Sequence, residues 1–168
     1  MAPLAPAPGA SVHPQAPTHS VSPVPANPWT AGSLWWDSKT VLVTRPIPPD
    51  RIAVAPHLVI PEEGGRLAFL LSSYTEEAQQ LAGDGRVVIQ PGDWRGRPAL
   101  GSRQQYGTVH IITGGPFADK IREGMRIKYG ARMSFARMAH RLANGAVPYG
   151  DLVAVAELRP SHPYMLTR

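Results

Sequence analysis

Six β-branched or apolar runs and one long stretch of helical spacing organise this chain. Residues 39–45 (Lys-Thr-Val-Leu-Val-Thr-Arg) predict a first strand, ended by Pro46, Pro48 and Pro49. Residues 51–60 predict a second, and Pro56 inside it points to an edge or a bulge, because proline withholds one ladder donor. The turn at 62–65 offers glycines for positive φ and leads into a strand at 66–71, making a hairpin. A short helix at 74–81 and the Gly83-Asp-Gly85 break precede a strand at 86–90, and residues 91–98 read as an exposed loop. Strands at 107–113 and 151–158 complete the set.

From Pro116 the period changes. Phe117, Ile121, Met125 and Lys128 recur at helical spacing, and so do Ala131, Phe135, Met138, Ala139 and Leu142. Gly124 and Gly130 interrupt, which predicts two helices, near 116–128 and 131–144, with Asn144-Gly145 as the stop. Strands with clustered helices and no βαβ alternation predict a mainly β protein with α additions, an α+β fold built on a barrel.

The first 28 residues differ in kind. They hold eight of the nineteen prolines, interleaved with Ala, Ser and His, and predict a disordered or polyproline-like tail ahead of a domain at 29–168. His13 and His19 in that tail are too isolated to suggest a metal site. Trp29, Trp35 and Trp36 follow, either anchoring the tail on the barrel or stacking over a planar ligand.

Composition narrows the function classes. The chain has no cysteine, which excludes disulfides, thiolate metal sites and cysteine nucleophiles. No stretch approaches the roughly 18 apolar residues of a membrane span, and no signal-peptide pattern opens the sequence, so a cytoplasmic location is the expectation. The net charge of +5 lies mostly in Lys120, Arg122, Arg126, Lys128, Arg132, Arg137 and Arg141. A solvated helix face or an anionic ligand accounts for it, and no nucleic-acid motif accompanies it.

Catalytic signatures are sparse. There is no Gly-x-Ser-x-Gly, no paired histidines at metal spacing, no dinucleotide fingerprint and no phosphate loop. No metal site is expected. Gly114-Gly-Pro116 before a helix could receive an anion on free amides, though a tight turn explains it as well. His57 and His110 sit in apolar strands, where a satisfied edge or core histidine is the plain alternative to a base, and His140 falls on the second helix, where a surface position is expected.

The order of three short motifs adds content. Residues 69–81, with Ser72, Ser73 and Thr75 ahead of a helix, are followed by Asp93-Trp-Arg-Gly-Arg-Pro-Ala-Leu-Gly101 and then Ile127-Lys-Tyr-Gly130. From about 39 to 158 the chain resembles the flavin- and deazaflavin-binding split β-barrel oxidoreductases, the pyridoxamine 5'-phosphate oxidase-like superfamily and its deazaflavin-dependent branch. The resemblance implies a split β-barrel of six to seven antiparallel strands with peripheral helices, pairing as a homodimer. It implies an oxidoreductase that moves a hydride between a cofactor and a small organic substrate. The cofactor would be the 8-hydroxy-5-deazaflavin coenzyme or, alternatively, FMN. Ser72, Ser73 and Thr75 would hold phosphate or ring oxygens, Arg95 and Arg97 would neutralise the anionic tail, and Lys128, Tyr129 and Arg132 would close the cleft.

One departure stands out. Glu76 and Glu77 occupy the place of the family's basic phosphate clamp, where carboxylates would repel a phosphate. Either Arg86, Arg95 or Arg97 replaces the clamp, or the cleft has left the phosphorylated cofactor. In the second case the protein is a cofactor-free enzyme or ligand-binding protein acting on a natural product, with Glu76, Glu77 and His57 as candidate catalytic groups. Negative charge at the start of a helix is also favourable by itself.

Overall fold

Arg45 is a charged residue on the core-facing side of an apolar strand, and the architecture explains how that is possible. The computed structural model describes residues 37–159. The Pro-rich tail, both of its histidines and the three tryptophans at 29, 35 and 36 lie outside the described residues. The strands are β1 (Val41–Ile47), β2 (Arg51–His57), β3 (Val59–Glu62), β4 (Arg66–Leu71), β5 (Arg86–Pro91), β6 (Gln105–Ile112) and β7 (Leu152–Leu158). The helices are α1 (Glu76–Gly83), α2 (Pro116–Tyr129) and α3 (Ala131–Asn144). The seven strands form one antiparallel sheet in the order β2-β1-β5-β6-β7-β4-β3, curled into a split barrel.

The run at 51–60 is two strands, not one. The chain turns at Leu58, so β2 and β3 become the opposite edges of the sheet. Leu58 joins these two edge strands, and this junction is the seam of the barrel. Both edges carry a proline, Pro56 on β2 and Pro61 on β3, where a missing N–H is tolerated. Pro46 lies inside β1 instead of ending it. Its partner is Ile52 on β2, while the pairing of β1 with β5 stops at Thr44, so no second ladder bond is lost.

Side chains alternate between the faces of a strand, so Val41, Val43 and Arg45 share the inner face of β1. Opposite them on β2 stand His57, Ala55 and Ala53. The core continues through Ile60, Leu67, Phe69, Ile89, Val153 and Val155. On α2 the buried stripe is Ala118, Ile121, Met125 and Tyr129, one residue out of phase with the sequence expectation at both ends. Gly124 does not interrupt α2. The break comes at Gly130, whose φ of 48° suits a residue without Cβ.

The greatest difference lies on α3. Its apolar stripe of Phe135, Met138 and Leu142 faces outward, and Met133 is the buried apolar side chain of this helix. Among the described residues no helix is long and apolar enough to cross a membrane.

Candidate functional site

A cavity of about 390 Å³ opens at the seam between the sheet edges. Ala55, Pro56 and His57 of β2 line one side, with Leu58 at the turn and Leu70 and Leu71 from the end of β4. Ser72, Thr75 and Glu77 follow at the entry to α1. Arg132, Ala136, Ala139 and His140 of α3 form the facing wall, and Trp94 and Tyr149 also line the space. The walls are largely apolar and the polar groups few, as in small-molecule sites.

Glu77 is the centre of a short chain of charges. Its Oε1 accepts from Arg45 Nη1 at 3.0 Å and lies 3.0 Å from His57 Nε2. Arg45 Nε donates to Gln80 Oε1 at 2.8 Å, one turn further along α1. The Arg45, His57 and Glu77 side chains are nearly buried, at 10, 13 and 14% exposure, so the pairing offsets the desolvation of Arg45. Burial pushes the Glu77 carboxyl up, but the hydrogen bond and charge of His57 and the charge of Arg45 together hold it below its ordinary value. The His57 ring lies 4.7 Å from that of Phe69, tilted by 39°, so it is fixed from behind as well. Glu76, by contrast, is exposed, with no ion pair among the described residues.

The three hydroxyls at the turn have separate fates. Thr75 caps α1, accepting from Ala78 N and donating to Ser72 O at 2.8 Å. Ser73 donates to Asp151 through both its hydroxyl and its backbone N–H. Ser72 is 2% exposed and lines the cavity, and its hydroxyl has no partner among the described residues. A buried polar group left so costs about 1–3 kcal/mol unless something else satisfies it.

Lys128 and Tyr129 lie outside the cavity lining. Tyr129 is buried; its hydroxyl donates to Val59 O at 2.6 Å and accepts from Val59 N at 3.0 Å. Lys128 donates to Val59 O at 2.9 Å and Ser38 O at 3.3 Å. Together they pin the end of α2 to β3. Burial pushes the Tyr129 phenol up to about 12 and the Lys128 ammonium down to about 8. Tyr129→Phe is therefore expected to cost about 1–3 kcal/mol by stranding the Val59 amide, read as a lowered urea midpoint. The unfolded chain loses the phenol proton first, so Tyr129 withdraws stability as pH rises from about 10 toward 12. The variant should lack that alkaline component.

The cations divide in the same way. Arg97 is held by Asp93 at 2.8 Å and Arg86 by Asp84 at 2.6 Å. The Arg95 guanidinium lies 4.9 Å over the Trp94 ring, which itself lines the cavity. Arg132 lines the cavity directly, with no carboxylate in ion-pair contact among the described residues. His110 is exposed, 3.9 Å from Glu157. Gly115, with φ of 95°, makes the sharp turn into α2. Among the described residues no three His, Asp or Glu side chains gather as metal ligands would.

Sequence reasoning missed Arg45, Gln80, Trp94 and Tyr149 and placed His140 on the surface. His140 is half-buried in the cavity wall, its ring 5.3 Å from that of Tyr149. The parity of Arg45 with Val41 and Val43 was the available signal, because a charge on a core-facing position requires a partner.

No family model and no curated protein sequence matches the chain. Among solved structures it is similar to HutZ, the heme storage protein from Vibrio cholerae, at a TM-score of 0.52 and 13% identity over 77% of this chain and 86% of that one. It is also similar to HupZ of Group A Streptococcus, at a TM-score of 0.50 and 11% identity over 74% of this chain and 84% of that one. The likeness is one of fold alone.

Proposed function

We propose that this split barrel is a flavin-type oxidoreductase that takes a deazaflavin coenzyme, or alternatively FMN, in the cavity between α3 and the sheet seam. The observation that carries the reading is the buried Ser72 hydroxyl, without a partner among the described residues, in a largely apolar cavity that also holds Arg132. A flat heteroaromatic ring suits apolar walls with a few fixed polar groups, and an anionic tail suits an unpaired guanidinium. The residues therefore fit such a cofactor, except at Glu77, where a phosphate would be repelled. Arg132, with Arg95 at the Trp94 side, supplies the positive charge that this turn lacks.

A bound flavin or deazaflavin supplies hydride transfer to or from a small organic substrate. The chain's part is to orient the ring through Ser72, exclude water with Leu58, Leu70 and Tyr149, and neutralise the tail with Arg132. Pairing as a homodimer belongs to the same proposal. The outward apolar side chains of α3, with Phe135 at 65% and Leu142 at 83% exposure, support a partner surface there.

The Arg45–Glu77–His57 chain favours a second reading, a cofactor-free enzyme working by proton transfer. His57 would be the acid or base, and Glu77 would orient it. One titration separates the two. The purified protein is mixed with FMN and with the deazaflavin coenzyme, and fluorescence is followed at low and high salt. Stoichiometric binding that weakens with salt is the expected result. Failure of both to bind would discard the redox reading in favour of proton transfer at His57.

A further inference from the structure

Two poles of opposite character share the cavity. At the turn into α1, both polar contacts of Glu77 fall on Oε1, and Oε2 makes no hydrogen bond among the described residues. Beside it in the chain fold, Thr75 ties the Ser72 carbonyl to the first turn of α1, and the Ser72 hydroxyl is buried without a partner among the described residues. This pole therefore offers a carboxylate oxygen that accepts and a hydroxyl that donates. At the other pole Arg132, on the first turn of α3, presents only donors and a positive charge. Glu77 is engaged by Arg45 and His57, and among the described residues no hydrogen bond or ion pair joins it to Arg132.

We infer that the cavity holds its cofactor with the pyrimidine edge of the ring at Ser72 and Glu77 and the anionic tail at Arg132. This is end-for-end to the arrangement that a basic clamp on α1 would impose. The inference rests on the proposed binding of a flavin-type ring. The pyrimidine edge of such a ring carries an imide, an N–H flanked by carbonyls. Glu77 Oε2 accepts from that N–H, and the Ser72 hydroxyl donates to a neighbouring carbonyl, which satisfies the orphaned group. A phosphate offers acceptor oxygens and negative charge, so it would meet repulsion at Glu77 and a complementary guanidinium at Arg132. Of the cations near Glu77, Arg45 lies outside the cavity lining and is engaged by Glu77 and Gln80, and His57 in the lining is engaged by Glu77. Neither is available to hold a phosphate on the α1 side.

The test compares dissociation constants for FMN and riboflavin, which share a ring and differ in the phosphate, using the full chain and fluorescence quenching. Arg132→Ala, a change at an exposed helix position, is expected to weaken FMN by about ten-fold or more and leave riboflavin within about two-fold. Glu77→Gln, which keeps an acceptor for Arg45, should weaken both ligands by a similar factor and leave their ratio unchanged. The inference is overturned if Arg132→Ala leaves the FMN-to-riboflavin ratio intact, or if Glu77→Lys raises the preference for FMN. In either case the ring still binds and the cofactor reading stands. Absence of binding by wild-type protein to both flavins and to the deazaflavin coenzyme would remove that reading and the orientation with it.

Discussion

Replacing Glu77 with Ala is expected to cost the fold about 3–5 kcal/mol, because it leaves the Arg45 guanidinium buried and unpaired. Arg45 sits at 9% exposure on the inner face of β1, and Glu77 is its carboxylate partner. Gln80 accepts one of its hydrogen bonds but carries no charge to offset the guanidinium. Denaturation in urea at pH 7 measures the effect, and a loss below about 1 kcal/mol would show that water reaches Arg45 freely. The pH dependence has a definite sign. The folded carboxyl lies below its ordinary value of 4.5, so as pH falls the unfolded chain takes up this proton first. The Glu77 contribution is thus complete above about 4.5 and is lost as pH drops through the lower folded value. Wild type should lose this increment in acid, and Glu77→Ala should not, so their midpoints converge at low pH.

Phe69→Ala is the second large effect, expected at about 3–5 kcal/mol. Phe69 is fully buried on β4, paired with Val59 on β3 and Ala154 on β7, so little can move to fill the space. The substitution also removes the ring behind His57 and frees the imidazole to leave Glu77. Phe69→Leu, which keeps much of the volume, should cost less and retain cavity binding. Urea midpoints for the two variants, with ligand titration of each, make the comparison. Equal losses in both would mean that the aromatic contact with His57, and not the volume, sets the cost.

The basic segment at 120–141 also resolves into separate parts. Arg126 pairs with Glu123 and Arg122 with Asp119 along α2, in contacts worth little at an exposed surface. Lys128 reaches inward to Val59, and Arg132 turns to the cavity. A single count of positive charge therefore described several unrelated roles.

What the sequence determined by itself was local. The strands β4, β5 and β7 and the helix α2 follow from their own apolar runs, and Gly130 and Gly145 mark helix ends that any tertiary setting would respect. Such features depend on neighbours a few residues away, and the periods of strand and helix make them visible. The tertiary structure alone decided the seam and everything that meets there. A run that reads as one strand from 51 to 60 breaks at Leu58, because its halves gain more by pairing with β1 and β4 than by staying straight. Arg45 and Glu77 are 32 residues apart, so their pairing exists only once the sheet has curled. The Ser72, Ser73 and Thr75 hydroxyls look alike in sequence, yet Asp151 and the α1 cap engage two of them and leave Ser72 in the cavity. Hydrogen-bond partners are assigned by distance in space, and the chain's order does not encode that distance.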